Sequence, residues 1–202
     1  KRSASRAISA IAFSGLRDIA AIDTVTGNPT AWNPNAGAAV RSLVVNGSVV
    51  YAGGDFANIG GAGRNRLAAL DATLGTASAW NPDMGGVVRA LALGNSVLYA
   101  AGDFTTVNGG TGRLRAAALS LATGLASSWN PGADGTVRVL FVSTTAVYAG
   151  GDFTNIGVAA RNYLAALDTA TGNAAAWDPN PNGPVHAVAV EAALVYAGGD
   201  FT

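Results

Sequence analysis

Tyr148-Ala-Gly-Gly-Asp-Phe153 decides how this chain of 202 residues is built, because the chain writes it four times. It recurs at 51–56 and 196–201, and once more as Tyr99-Ala-Ala-Gly-Asp-Phe104, with one Gly replaced by Ala. Its acids, Asp55, Asp103, Asp152 and Asp200, lie 48, 49 and 48 residues apart. A fixed period of this length describes an array of one supersecondary unit and argues against a single unique catalytic constellation.

Outward from the motif, the same order of segments repeats. A loop of about ten residues, such as 57–65, leads to Ile19-Ala-Ala-Ile-Asp23, Leu67-Ala-Ala-Leu-Asp71, Ala116-Ala-Ala-Leu119-Ser120 or Leu164-Ala-Ala-Leu-Asp168. Each is short, apolar and followed by a Gly turn: Gly27, Gly75, Gly124 and Gly172. A second short strand ends at Trp32, Trp80, Trp129 and Trp177, each followed by Asn-Pro or Asp-Pro, where Pro cannot continue a ladder. A third strand, Val40–Val45, Val88–Leu93, Val137–Val142 and Val185–Val190, is apolar on both parities except at its second residue. That pattern predicts burial on both faces. A turn then brings the chain back to the Tyr-Ala-Gly-Gly strand.

Four short antiparallel strands in ~40–50 residues, repeated, spell an all-β β-propeller with four strands per blade. The Val-Arg strand is expected innermost, then the Tyr-Ala-Gly-Gly strand, then Leu-Ala-Ala-Leu-Asp, with the Trp strand at the rim. Residues 1–202 read as one propeller domain, with 1–16 an irregular N-terminal segment and repeats from 17 to 202. Pairing the two C-terminal strands, 185–190 and 194–200, with the N-terminal strands, 17–23 and 29–33, would make a four-bladed ring by two-plus-two closure. The alternative is part of a larger ring or array. Both ends read as cut, since the chain opens on Lys1 and stops one residue after a motif.

Composition removes several function classes. Half of the residues are hydrophobic, 12% are charged, and 12 acids balance 12 bases. No disordered tail, membrane-spanning helix or global field for nucleic acid is encoded. With no Cys and a single His, thiolate chemistry and zinc–thiolate or poly-His metal sites are excluded. No nucleophile elbow, phosphate loop or EF-hand spacing occurs, and no cofactor is expected.

The run from Gly150-Gly-Asp-Phe-Thr-Asn-Ile156 through Leu164-Ala-Ala-Leu-Asp168 to Ala176-Trp-Asp-Pro179 resembles the delta-60 repeat, a bacterial β-propeller repeat family of unknown function. The resemblance covers residues 17 to 202. It implies a propeller in a bacterial protein that is secreted or attached to the cell surface, and it carries over no catalytic residue.

Candidate residues follow from the copies. Asp55, Asp103, Asp152 and Asp200 sit where the second strand meets the long loop, with Arg41, Arg89, Arg138 and, in the fourth copy, His186 as partners. One active site does not need four copies of its acid, so a structural clamp is expected. The Trp residues are expected to anchor blade packing. Arg64, Arg113 and Arg161 recur in the long loop as candidates to face a ligand, with bracing of the loop as the plainer reading. Asp83, Asp134 and Asp178 follow the Trp segments, where turn formation is the default role and a weak calcium site the alternative. The departures from the repeat, Leu114, Ser120, Tyr163, His186 and Glu191, are scattered and do not spell an active site. The expected function is a non-enzymatic structural or protein-interaction module, extracellular or at the cell surface. Its partner, protein or glycan, would meet the face of long loops, since tight turns on the other face offer little to recognise. A lectin-like propeller and a self-associating filament subunit are the alternatives.

Overall fold

A computed structural model describes residues 19–94 and 96–202. Residues 1–16, and positions 17 and 18 of the expected N-terminal strand, lie outside them. In the first full repeat, β1 (Val40–Asn46) and β2 (Val49–Gly54) form an antiparallel hairpin. The long loop folds into a two-residue ribbon, β3 (Asn58–Ile59) with β4 (Ala62–Gly63), before β5 (Leu67–Asp71) joins the far edge of β2. The second repeat has the same parts as β6 (Val88–Leu93), β7 (Val97–Gly102), β8 (Thr106–Val107), β9 (Thr111–Gly112) and β10 (Ala116–Ser120). The third has β11 (Val137–Val142), β12 (Ala146–Gly151), β13 (Asn155–Ile156), β14 (Ala159–Ala160) and β15 (Leu164–Asp168). The fourth holds β16 (Val185–Glu191) and β17 (Leu194–Gly199).

The sheets stack face to face, and the sequence shows why. In β5, Leu67 and Ala69 point to one face while Ala68 and Leu70 point to the other, as strand pleating requires. The first pair packs against Leu98, Ala100, Ala117 and Leu119 of the second repeat. The second pair packs against Ile19, Trp32, Val50 and Ala52 on the other side. The next joint joins Tyr99, Ala101, Ala116 and Ala118 to Val147, Ala149, Ala165 and Leu167. Ala and Gly on the two central strands let neighbouring backbones approach. The motif phenylalanines Phe56, Phe104 and Phe153 are fully buried, each contributing on the order of 2–3 kcal/mol.

Three expectations are corrected. The Trp segment is not a fourth strand: it meets its sheet at one isolated bridge per repeat, Ile22–Pro29, Leu70–Ala77, Leu119–Ala126 and Leu167–Ala174. Beyond the bridge it leaves the sheet to push its indole into the joint with the next repeat, which ends pairing. The Val-Arg strands are also less buried than their pattern predicts. β2 and β5 are almost wholly buried, whereas β1 and β16 are largely half-exposed or exposed. They form the inner edge of the stack, where each packs against the inner strand of the adjacent repeat: β1 with β6, β6 with β11, β11 with β16.

Finally, the two-plus-two closure is not formed among the described residues. β17 pairs with β16 alone, and β16 makes no comparable packing with β1. The repeats stand as an open arc. Ile19–Asp23 stays on the first repeat, where Ile19 is buried against Trp32 and Val50, and so is not available to β17 in the same molecule.

Candidate functional site

The inner strands begin, and the motif strands end, on the face of the long loops. There Arg41 grips Asp55 with two bonds of 2.6 Å, Nε to Oδ1 and Nη2 to Oδ2. Arg138 grips Asp152 in the same fork at 2.7 Å. In the second repeat both Arg89 nitrogens meet one oxygen of Asp103, at 2.9 and 2.7 Å, because Thr136 of the following repeat donates to the other at 2.8 Å. His186 Nε2 lies 2.8 Å from Asp200 in the fourth. The cause is the sheet register: both members of each pair sit at the same end of one hairpin, 14 residues apart. The carboxylates of Asp55, Asp103 and Asp152 keep 27–31% of their side chains exposed and that of Asp200 keeps 71%. Such half-exposed pairs contribute about 0–1 kcal/mol each. Burial pushes the Asp103 carboxyl up, but hydrogen bonds from Arg89 and Thr136 and the charges of Arg89 and Arg115 outweigh it, leaving the group below the usual carboxylate range. Hydrogen bonding to their partners raises the Arg41 and Arg138 guanidinium groups.

Arg64, Arg113 and Arg161 point back into the scaffold. Each donates Nη1 to the preceding carbonyl and Nη2 to the carbonyl of Ser78, Ser127 or Ala175, at 2.5–2.7 Å. These carbonyls lie two residues before Trp80, Trp129 and Trp177, so the arginines hold the Trp segments in place. Arg66 and Arg115 donate to the carbonyls of Met84 and Asp103. With Tyr163 they adopt positive φ of 61–67° at one equivalent position, a left-handed step into the third strand.

The acids after the Trp segments tie loops together. Asp83 accepts from Asn65 Nδ2 at 2.6 Å, and Asp178 lies 3.6 Å from Arg161. Asp134 accepts four hydrogen bonds, from the backbone and side chains of Thr154 and Asn155, at 2.7–3.0 Å. Burial works against its charged form, yet these four donors hold its carboxyl far below the ordinary range. Asn182 makes the equivalent link to Thr202. No group of three or more metal-ligating side chains occurs among the described residues.

Each buried indole crosses a joint: Trp32 Nε1 donates to Asp71 O, Trp80 to Ser120 O and Trp129 to Asp168 O, all at 2.9 Å. Tyr51, Tyr99 and Tyr148 meet Trp80, Trp129 and Trp177 edge to face, with ring centres 5.0–5.6 Å apart. Trp177 differs from the others, being 38% exposed with no acceptor among the described residues.

Two features escaped the sequence reading. Asn108 stands where the other repeats have Gly60 and Gly157, and a Cβ at Gly60 would come within 2.5 Å of Ala77 N. In those repeats the Gly carbonyl accepts from Ala77 or Ala174. In the second repeat, which is one residue longer, Asn108 Oδ1 accepts from Ala126 N at 2.8 Å and Nδ2 donates to Gly124 O at 2.9 Å, so a side-chain amide replaces the carbonyl. The second feature lies on the tight-turn face, which the sequence reads as offering little to recognise. A recess of roughly 750 Å³ opens there between the second, third and fourth repeats, lined among others by Ser96, Tyr99, Phe141, Thr144 and Val190. Among the described residues no charged side chain lines it.

The departures from the repeat do not converge. Ser120 takes over the turn-capping role of Asp71 and Asp168, accepting from Thr123 N, and its carbonyl receives Trp80. No hydrogen bond joins any two of Leu114, Ser120, Tyr163, His186 and Glu191 among the described residues.

No protein-family model matches the chain, and no curated protein matches it significantly. Solved structures do. The computationally designed Ika8 protein is 16% identical, covering 90% of this chain and 49% of its own, with a TM-score of 0.61. The designed Ika4 protein is 17% identical, covering 81% of this chain and 86% of its own, with a TM-score of 0.59. A chain of the mitotic checkpoint complex is 14% identical, covering 91% and 53%, with a TM-score of 0.64. This chain therefore spans about half the length of two of the three. At such identities the likeness concerns the fold alone: an all-β, propeller-like arc of repeats.

Proposed function

We propose that the chain is a non-enzymatic interaction module of the delta-60 type, four propeller blades of a bacterial secreted or cell-surface protein, which receives a protein partner on its long-loop face. The observation that supports this is the row of four equivalent pairs, three Arg–Asp and one His–Asp, held half-exposed at one face by hairpin register. A row of charge pairs whose members are already partnered is poorly suited to acid–base chemistry. It is well suited to a polar rim that exchanges hydrogen bonds with another protein surface. The fold-level likeness to a chain within the mitotic checkpoint complex is in keeping with protein partners. Fold by itself carries no activity.

The test is site-specific photo-crosslinking in the producing cell. The crosslinking amino acid is introduced at Asn58 or Thr105 on the long-loop face and at Ser48 or Thr144 on the tight-turn face, all exposed positions. Discrete protein adducts at 58 and 105, and none at 48 and 144, are expected. Adducts confined to 48 and 144 would overturn the choice of face and place the partner at the recess.

A further inference from the structure

Four peptide bonds of this chain join an Asn or Asp to Gly: Asn46-Gly47, Asn108-Gly109, Asp134-Gly135 and Asn182-Gly183. A following Gly leaves its nitrogen unshielded by any side chain, so that nitrogen can attack the preceding side-chain carbonyl carbon and close a five-membered imide. The fold restrains three of the four. Asn108 Oδ1 accepts from Ala126 N–H at 2.8 Å and its Nδ2 donates to Gly124 O at 2.9 Å. Asn182 is tied to Thr202 through both Oδ1 and Nδ2 at 2.9 Å. A Cβ on Gly183 would come within 2.5 Å of Asp200 O, so the main chain there is packed against the end of the motif. Asp134 accepts four hydrogen bonds, and Gly135 lies as closely against Asp152 and Phe153.

Asn46 has none of these restraints. It ends β1 opposite Val49, and Gly47-Ser48 make the two-residue turn into β2, with Gly47 at φ 59°. Asn46, Gly47 and Ser48 are exposed, and a Cβ on Gly47 would meet nothing within 4 Å. Among the described residues no hydrogen bond engages the Asn46 amide or the Gly47 N–H. We propose that Asn46 is a site of spontaneous covalent modification, converted through the imide to aspartate and isoaspartate on the tight-turn face. Gly47 N gives its proton to water and bonds to Asn46 Cγ, while Nδ2 leaves as ammonia. Water then opens the imide at one of its two carbonyls. Cleavage between Cγ and the Gly47 nitrogen gives aspartate; cleavage between the main-chain carbonyl carbon and that nitrogen gives isoaspartate, with the chain rerouted through the side chain. The position accommodates an acid, since Glu191 occupies it in the fourth repeat, opposite Leu194 and before Ala192 at φ 52°. Isoaspartate lengthens the turn by a methylene, so the disturbance falls on the last rung, Asn46–Val49, and leaves Val45–Val50 and the joints in register.

Peptide mapping by mass spectrometry, on the purified chain aged in mildly alkaline buffer, reads the three asparagines side by side. In the folded chain Asn46 is expected to convert roughly tenfold faster than Asn108 or Asn182, whose hydrogen bonds must break before the imide can close. In strong urea, where the fold no longer distinguishes them, the three rates are expected to agree within about threefold. An isoaspartate-specific methyltransferase with a labelled methyl donor is expected to mark the aged folded chain. Asn46→Gln, whose longer side chain closes an imide far more slowly, is expected to lose most of that label with unchanged circular dichroism. Conversion of Asn108 or Asn182 as fast as Asn46 in the folded chain overturns the proposal. So does an Asn46 that stays intact in the folded chain yet converts in urea.

Discussion

Gly150 lies directly opposite Val139 in the third repeat, and a Cβ there would meet Val139 Cγ1 at 2.8 Å and Val185 Cγ1 at 2.7 Å. The second repeat shows how a methyl group can be admitted: it carries Ala101 at the same position, fully buried, opposite Ala90. Val137, the counterpart of Val185, still packs in the same cluster. The space for the Ala101 methyl is thus made by the loss of the isopropyl branch across the ladder. Gly150→Ala alone is expected to overpack the joint and cost about 1–3 kcal/mol. Val139→Ala alone removes two half-buried carbons and is expected to cost about 1 kcal/mol. Together they recreate the Ala–Ala pair of the second repeat, so the double variant should be more stable than the sum of the singles predicts by roughly 1–2 kcal/mol. Urea unfolding of the four proteins, followed by circular dichroism and by the edge-to-face tryptophans, measures the cycle. Additivity within about 0.5 kcal/mol would refute the exchange of volume across the pair, and would mean that the clash is relieved by backbone shift or by Val185. The reverse cycle is informative: Ala90→Val should be strained with Ala101 present and tolerated in Ala101→Gly.

Trp129→Ala should cost about 3–5 kcal/mol in thermal or urea unfolding, since its ring is buried and its indole joins two repeats; a cost below 1 kcal/mol would show that the joint does not depend on it. Arg138→Met should cost no more than about 1 kcal/mol, because both members of its pair are about a third exposed, and a loss above 3 kcal/mol would mark the pair as a buried clamp. Asp134→Asn should weaken stability at neutral pH. The folded carboxyl lies below its unfolded value, so its contribution is complete above about pH 4 and is lost as pH falls toward the folded value. The gap between wild type and variant should therefore close on acidification, and a gap that widens below pH 4 would contradict the hydrogen-bond geometry.

Much of the arc can be read in the sequence because the same constraints are imposed four times. The Tyr-Ala-Gly-Gly strand, its neighbours and their turns follow from apolar runs on both parities bounded by Gly and Pro, and pleating turns such runs into sheets buried on two faces. That Arg41 faces Asp55 follows as well, since a tight hairpin places residues equally far from its turn across from one another. Other features depend on competition that local pattern does not show. Ala77–Trp80 has the look of a strand, but burying the indole against the second repeat wins over extending the ladder beyond one bridge. Val40–Val45 is as apolar as a core strand, yet among the described residues it is the edge strand of its sheet and stays largely half-exposed. Arg64 reads as a surface cation because its acceptor, Ser78 O, is a main-chain group, and main-chain groups are the same in every sequence.

Where the copies differ, most differences are absorbed by the scaffold, and this narrows the search for function. Ala101 is matched by Ala90, Asn108 replaces a Gly carbonyl with its own amide, and Ser120 caps the turn that Asp71 and Asp168 cap elsewhere. Asp134 and Asn182 fasten loops where the first two repeats have Gly37 and Gly85, whose missing Cβ atoms would run into Asn58 and Thr106. In each case a change at one position is answered by a partner within hydrogen-bond or van der Waals reach, which is the signature of packing under constraint. A difference without such an answer is a better pointer to recognition. By that criterion His186 stands out: it replaces the arginine of the other repeats, meets Asp200 through one nitrogen, and leaves both side chains more exposed than in any other pair. Among the described residues the fourth repeat is a two-stranded sheet of β16 and β17, and the open outer edge of β17 accounts for that exposure without a ligand. The two accounts separate on substitution: His186→Arg should weaken partner crosslinking at Asn58 and Thr105 if the fourth pair belongs to the recognition face, and should leave it unchanged if the exposure only reflects the open edge of β17.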